Sequence, residues 1–169
     1  MAGQPLVISN TTPMINLAEI GRMDVLQQLF GEIVIPPAVA DELHEKRDLF
    51  PAVARAMELP FIRIVAPKDR SLVSTLTLEL HFGEAECLAL AMEQTTDLLL
   101  LLDELAARRV ARHRKLNFTG TVGCLNLAKT QNLIPAIAPL FHDLRTKASF
   151  WLSDQVVEAI LQQAGEKTL

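Results

Sequence analysis

The chain of 169 residues has only two cysteines, Cys87 and Cys124. They are far apart and form neither a CxxC pair nor a disulfide framework, so a reducing cytoplasm is the expectation. No apolar run approaches the roughly 18–20 residues that a membrane span needs. The opening MAGQPLVIS lacks the basic leader and apolar core of a signal peptide. Excess positive charge is missing too: 16 Lys and Arg face 20 Asp and Glu, a net charge of −4. That argues against a uniformly basic nucleic-acid binder but allows a local basic patch. The four histidines, His44, His81, His113 and His142, are scattered, without the i, i+4 pairing of a helical zinc site. There is no G-x-S-x-G for a serine hydrolase. Walker and G-x-G-x-x-G motifs, internal repeats and low-complexity tracts are also absent.

What is present is a globular composition, half hydrophobic and 21% charged. The length suits one domain over residues 1–169, with helices from about residue 135 packed on it. The most informative stretch is Asp97 to Lys115, DLLLLLDELAARRVARHRK. Five leucines between acids read as a strand buried on both faces, as in a parallel sheet. A basic helix should follow, with Leu105, Ala106, Val110 and Ala111 inward and Arg108, Arg109, Arg112 and His113 outward.

Earlier in the chain, Leu6 to Ser9 reads as a first strand, and Thr12 as the N-cap of a helix that starts at Pro13. A second helix runs from Met23 to Phe30 and stops at Gly31. Ile33–Ile35 and Phe61–Val65 read as strands, and Pro36-Pro37 opens the helix that carries Glu42. Leu49–Leu59 and Gly83–Gln94 are helical; Pro67–Leu80 is undetermined. Leu116–Thr119 is a last short strand, Thr121 caps a helix, and Pro135 and Ser153 open two more. Trp151 is assigned to core packing. Alternating strands and helices make this α/β, a mostly parallel central sheet flanked by helices on both faces.

Acidic residues gather at strand ends and helix starts: Glu42, Glu84, Glu86, Asp103 and Glu104. Glu42 shares a helical stripe with Val39 and Leu43 and should lean inward, whereas Asp41 falls with His44 and Glu45 on a solvated stripe. Glu84 lines up with Leu88 and Ala91. Glu86 is about 200° round the helix from it. A charge on an inward stripe needs a partner, no Lys or Arg is placed regularly beside Glu42 and Glu84, and a metal ion is one partner that serves several carboxylates.

Five segments in order, LVISNTTPMINLAEIGRMDVL, IVIPPAVADEL, GEAECLALA, DLLLLLDELAARRVA and FTGTVGCLNLAK, resemble the PIN-like domain family. The likeness is strongest to a prokaryotic branch of predicted nucleic-acid-binding PIN proteins related to VapC toxins. It implies a three-layer PIN-like fold and a ribonuclease dependent on Mg²⁺ or Mn²⁺. It also implies RNA as substrate and a small antitoxin protein as partner. Exposed parts of the last helices, such as Val156 and Ile160, offer a surface for a partner or a second copy of the chain, with core packing as their other reading. The family's acids fall on Asn10, Glu42, Glu84 and Asp103, with Glu86 and Glu104 as neighbouring alternatives, and its hydroxyl residue falls on Thr12. Asn10 departs from the pattern by replacing a carboxylate with an amide, which can ligate a hard cation only without charge. Arg108, Arg109 and Arg112 would hold RNA phosphates. Two other readings accompany this one: an inactive RNA- or partner-binding module on the same fold, and an aspartate-phosphorylated regulator.

Overall fold

In the computed structural model, which describes residues 4–167, the short apolar runs become five strands. They are β1 (Leu6–Ser9), β2 (Ile33–Ile35), β3 (Ile62–Ile64), β4 (Leu98–Leu101) and β5 (Phe118–Thr119). All pair in parallel, in the order β3-β2-β1-β4-β5. β1 and β4 form the centre, with Leu6 opposite Leu98 and Ser9 opposite Leu101. A parallel sheet covered on both sides needs apolar residues of both registers, and Val7, Ile8, Leu100, Leu101 and Leu102 are fully buried.

The chain steps outward from β1 to β2 and β3, then crosses to the other side for β4 and β5. The order therefore reverses between β1 and β4. At such a switch point the two connections leave in opposite directions and open a crevice at the strands' carboxyl ends. Asn10 and the pair Asp103–Glu104 border this crevice.

Among the described residues ten α-helices surround the sheet: α1 (Thr11–Glu19), α2 (Met23–Phe30), α3 (Pro37–Glu45), α4 (Pro51–Met57), α5 (Arg70–Leu76), α6 (Phe82–Met92), α7 (Leu105–His113), α8 (Thr121–Thr130), α9 (Ala138–Lys147) and α10 (Asp154–Gln163). A single 3₁₀ turn, Lys46–Asp48, follows α3. One group packs α6 against α3, α5 and α7; another packs α1 and α2 against α8. Among the described residues no helix is long and apolar enough to cross a membrane.

Several boundaries differ from the sequence expectation. Asn10, not Thr12, is the N-cap of α1, because its N–H still bonds the Leu101 carbonyl (3.0 Å) and the helix starts at the next residue. Pro13 remains within the first turn, whose N–H groups have no helical partner, so its missing donor costs nothing. Gly120, not Thr121, caps α8, and α9 starts at Ala138 rather than Pro135. The undetermined stretch contains α5, capped by the Asp69 carboxylate on the Leu72 N–H. On α7 the buried stripe is Ala107 and Ala111, and Leu105 is 79% exposed. The three residues between β4 and α7, Leu102 to Glu104, set the helix phase, and small alanines allow close approach. Trp151 is 69% exposed under the Arg145 guanidinium (4.8 Å to the ring centroid), not in the core.

Glu166 closes the C-terminal segment onto the sheet's helices. Its carboxylate accepts N–H bonds from Ile137 and Ala138 at the start of α9 (2.8–3.0 Å) and pairs with Lys129 of α8 at 3.0 Å. Burial raises its pKa, but these donors outweigh that and hold it below the usual value. A depressed carboxylate adds stability above its unfolded pKa and loses it as pH falls through the folded one. Glu166→Gln should therefore lower stability at neutral pH and weaken the acid sensitivity of amide-exchange protection at Ile137 and Ala138. Identical exchange profiles for parent and variant between pH 3 and 7 would refute the clasp.

Candidate functional site

The crevice between β1 and β4 is built from Asn10 upward. Its side chain is buried at 3% exposure, and Nδ2 donates to Glu104 Oε2 at 3.1 Å. The hydroxyl of Thr12, the second residue of α1, donates to the other oxygen, Glu104 Oε1. Glu104 is thereby held by two residues of the segment that follows β1, Asn10 and Thr12. Asn10 Oδ1 is different: among the described residues it is the buried side-chain acceptor with no hydrogen-bond partner.

Glu42 comes from α3, whose Val39 and Leu43 are fully buried on either side of it. Lys46, one turn later, pairs with Oε1 at 2.7 Å, and the Thr11 hydroxyl donates to Oε2 at 2.6 Å. Burial raises the pKa of Glu42, but Lys46 and Thr11 outweigh it, leaving the carboxyl below its usual value. Asp41, His44 and Glu45 are exposed. The stripe reading of this helix therefore holds.

Glu84 lies in the first turn of α6 and is 4% exposed. Its Oε2 accepts the N–H of His81, the N-cap residue, at 2.9 Å. Burial raises its pKa, and the negative charges of Glu104 and Glu42 push the same way. Gly83 keeps the space beside it open. A Cβ there would meet Glu42 Oε2 at 3.2 Å and Asn10 Oδ1 at 3.5 Å, so both oxygens border one small gap.

Glu86 is equally buried but serves another end. It accepts the Ala38 N–H at the start of α3 (2.8 Å) and pairs with Arg70 of α5 at 2.6 Å. α6 is buried all round, from Gly83 to Ala91. Periodicity therefore cannot rank its two acids; what separates them is which neighbour each one meets.

Asp103 and Glu104, adjacent in sequence, also part company. Asp103 turns away from Asn10 and binds the start of α8. It accepts the Thr121 N–H at 2.9 Å and the Thr121 hydroxyl at 2.6 Å, and Asn16 approaches at 3.4 Å. Burial raises its pKa, partly offset by Thr121. Arg108, one turn into α7, donates to the Leu102 carbonyl at 2.7 Å and approaches Asp103 at 3.7 Å. It pairs with Asp103, not with Glu104 in the i, i+4 manner. Both Arg108 and Arg112 stack on Phe118, at 5.7 and 5.5 Å from the ring centroid. Arg109 and Arg112 are exposed.

The resulting crevice brings Asn10, Thr12, Glu42, Glu84 and Glu104 together and leaves Asp103 and Glu86 as ties between elements. An open cavity of about 460 Å³, lined by His81, Glu84, Glu104 and Leu105, leads into it. Among the described residues no three Asp, Glu, His or Cys side chains form a ready-made metal cage. The donors do fit a hard divalent cation that keeps several waters. They are oxygens, one of them buried and unpartnered, and among the described residues Glu84 and Glu104 have no ion pair.

A family model described as a PIN domain matches residues 6–166. No curated protein matches the chain.

Gly120 shows how tightly the Asp103 tie is packed. A Cβ there would collide with the Asp103 carboxylate and the Arg108 guanidinium and lie 2.9 Å from the Leu102 carbonyl oxygen. Gly120→Ala should cost about 2 kcal/mol of unfolding free energy in urea denaturation. A variant as stable as the parent would mean that the Asp103–Thr121–Arg108 cluster gives way without cost.

Proposed function

The chain belongs to the PIN-domain family, and from that premise we propose that it is a divalent-metal-dependent ribonuclease acting at the β1–β4 crevice. The observation that carries the reading is the buried, unpartnered Asn10 Oδ1 beside three carboxylates. An unpaired buried carbonyl costs on the order of 1–3 kcal/mol, and a bound cation would remove that cost. Asn10, Glu84 and Glu104 are the residues that would hold the ion, Mg²⁺ or Mn²⁺, with Glu42 beside them. When bound, such an ion supplies an activated water and charge neutralisation at the phosphodiester.

The chain's own residues divide the remaining work. Thr12 and Asn10 fix the orientation of Glu104 through both of its oxygens. Glu84 keeps Oε1 clear of protein donors among the described residues, so that oxygen can accept a hydrogen bond from water. Arg109 and Arg112, exposed on α7, whose N-cap is Glu104, would grip RNA phosphates. The resemblance leaves both Asp103 and Glu104 open as the fourth acid. The contacts of Asp103 with Thr121 favour Glu104 for the site and Asp103 for the scaffold.

A second reading, a module that binds RNA without cutting it, is favoured by the amide of Asn10, which on the resemblance falls where the family has its first aspartate. The two readings part on a metal-dependent cleavage assay with single-stranded RNA. The nuclease reading expects Mn²⁺-dependent cleavage that falls about 100-fold in Glu104→Gln, the scale of lost metal affinity. Asp103→Asn should lose stability first. Cleavage by Glu104→Gln at the parent rate would remove Glu104 from the site. RNA binding that persists in chelator and weakens steeply with salt, without cleavage, would establish the second reading.

A further inference from the structure

The charges and acceptors of the crevice are unevenly committed. Three carboxylates, Glu42, Glu84 and Glu104, face it. Among the described residues Glu42 alone of the three has a cation: Lys46 Nζ lies 2.7 Å from Oε1. Its second oxygen is taken by the Thr11 hydroxyl at 2.6 Å. Both oxygens of Glu42 therefore already have donors, one of them charged. The Lys46 side chain is 39% exposed and lies one turn beyond Glu42 at the C-cap of α3, so the pair is built into the end of that helix. On the other side of the crevice, Glu84 and Glu104 have no such cation among the described residues, and Asn10 Oδ1 has no donor. Asn10 itself contributes an oxygen without a charge.

We infer that Lys46 is the built-in second cation of this site: it neutralises Glu42, so the crevice takes one divalent metal ion, held toward Asn10, Glu84 and Glu104. This rests on the metal-site reading above. The physical reason is electrostatic. With Lys46 in place the three carboxylates carry a formal excess of two negative charges, which one divalent ion cancels. A second divalent ion would have to displace an ammonium from hydrogen-bond contact and would then leave the pocket positive. A neutral Asn10 works in the same direction, because an aspartate there would restore the charge that a second ion needs.

Mn²⁺ titration calorimetry on the intact chain reads the ion count directly, without reference to cleavage. The parent should bind one Mn²⁺. Lys46→Met, which keeps the length of the side chain and removes its charge, should bind a second Mn²⁺ or bind the first about tenfold more tightly. Lys46→Arg should behave as the parent, and circular dichroism melts should show all of the variants folded. Two ions on the parent, or a Lys46→Met isotherm identical to the parent's, would overturn the role of Lys46 while leaving the metal site standing. No Mn²⁺ on the parent or on Asn10→Asp would instead bring down the metal-site reading, and this inference with it.

Discussion

The hydrogen-bonded pairing of β1 with β4 is the constraint from which the rest follows. It sets Ser9 opposite Leu101 and carries one step further, through the Asn10 N–H to the Leu101 carbonyl. That step leaves Asn10 and Glu104 side by side at the carboxyl ends of two parallel strands. Because the strand order reverses there, no crossover covers the crevice. α3 and α6 then need only pack on the same side of the sheet to bring Glu42 and Glu84 to its rim.

Within that frame, carboxylates next to each other in sequence do different things. Glu84 faces the crevice while Glu86 closes the start of α3. Glu104 meets Asn10 while Asp103 closes the start of α8. In each pair the acid on the scaffold satisfies helix N–H groups that would otherwise lack a partner. The cluster around the site is therefore supported by a second set of charges that position its elements. Glu86 and Asp103 hold α3 and α8, and Arg70 and Arg108 lie beside them. Removing one of those acids would leave orphaned donors and an unpaired arginine, so it would disturb the site without touching it.

The stripe on α3 was legible because that helix has one buried face and one exposed face. Val39, Glu42 and Leu43 turn inward, and Asp41, His44 and Glu45 face solvent. On α6 the same reasoning fails, since every residue from Gly83 to Ala91 is buried and the pattern holds no contrast. On α7 it was half right: Ala111 is buried and Val110 packs against the core as expected, but Ala107 takes the inward place given to Leu105 and Ala106, which are exposed, because the length of the preceding turn sets the phase. The expectation from the sequence gives Glu42 no basic neighbour, yet Lys46 pairs with it at 2.7 Å; the i, i+4 spacing was the signal that could have found the pair.

The order of short apolar runs, their proline, glycine and asparagine boundaries, and the five leucines before Asp103 determined an α/β chain with a parallel sheet. They also put acids at the carboxyl ends of its strands. These are local properties, set by side-chain period and backbone preference within a few residues. The tertiary structure decided which acids meet. Asn10 and Glu104 are 94 residues apart, as are few contacts a local pattern could encode, and Thr11 reaches Glu42 across 31. Whether a carboxylate joins the site or caps a helix depends on the donors that a distant element brings to it. That choice is made by packing, because a buried charge settles where its partners are.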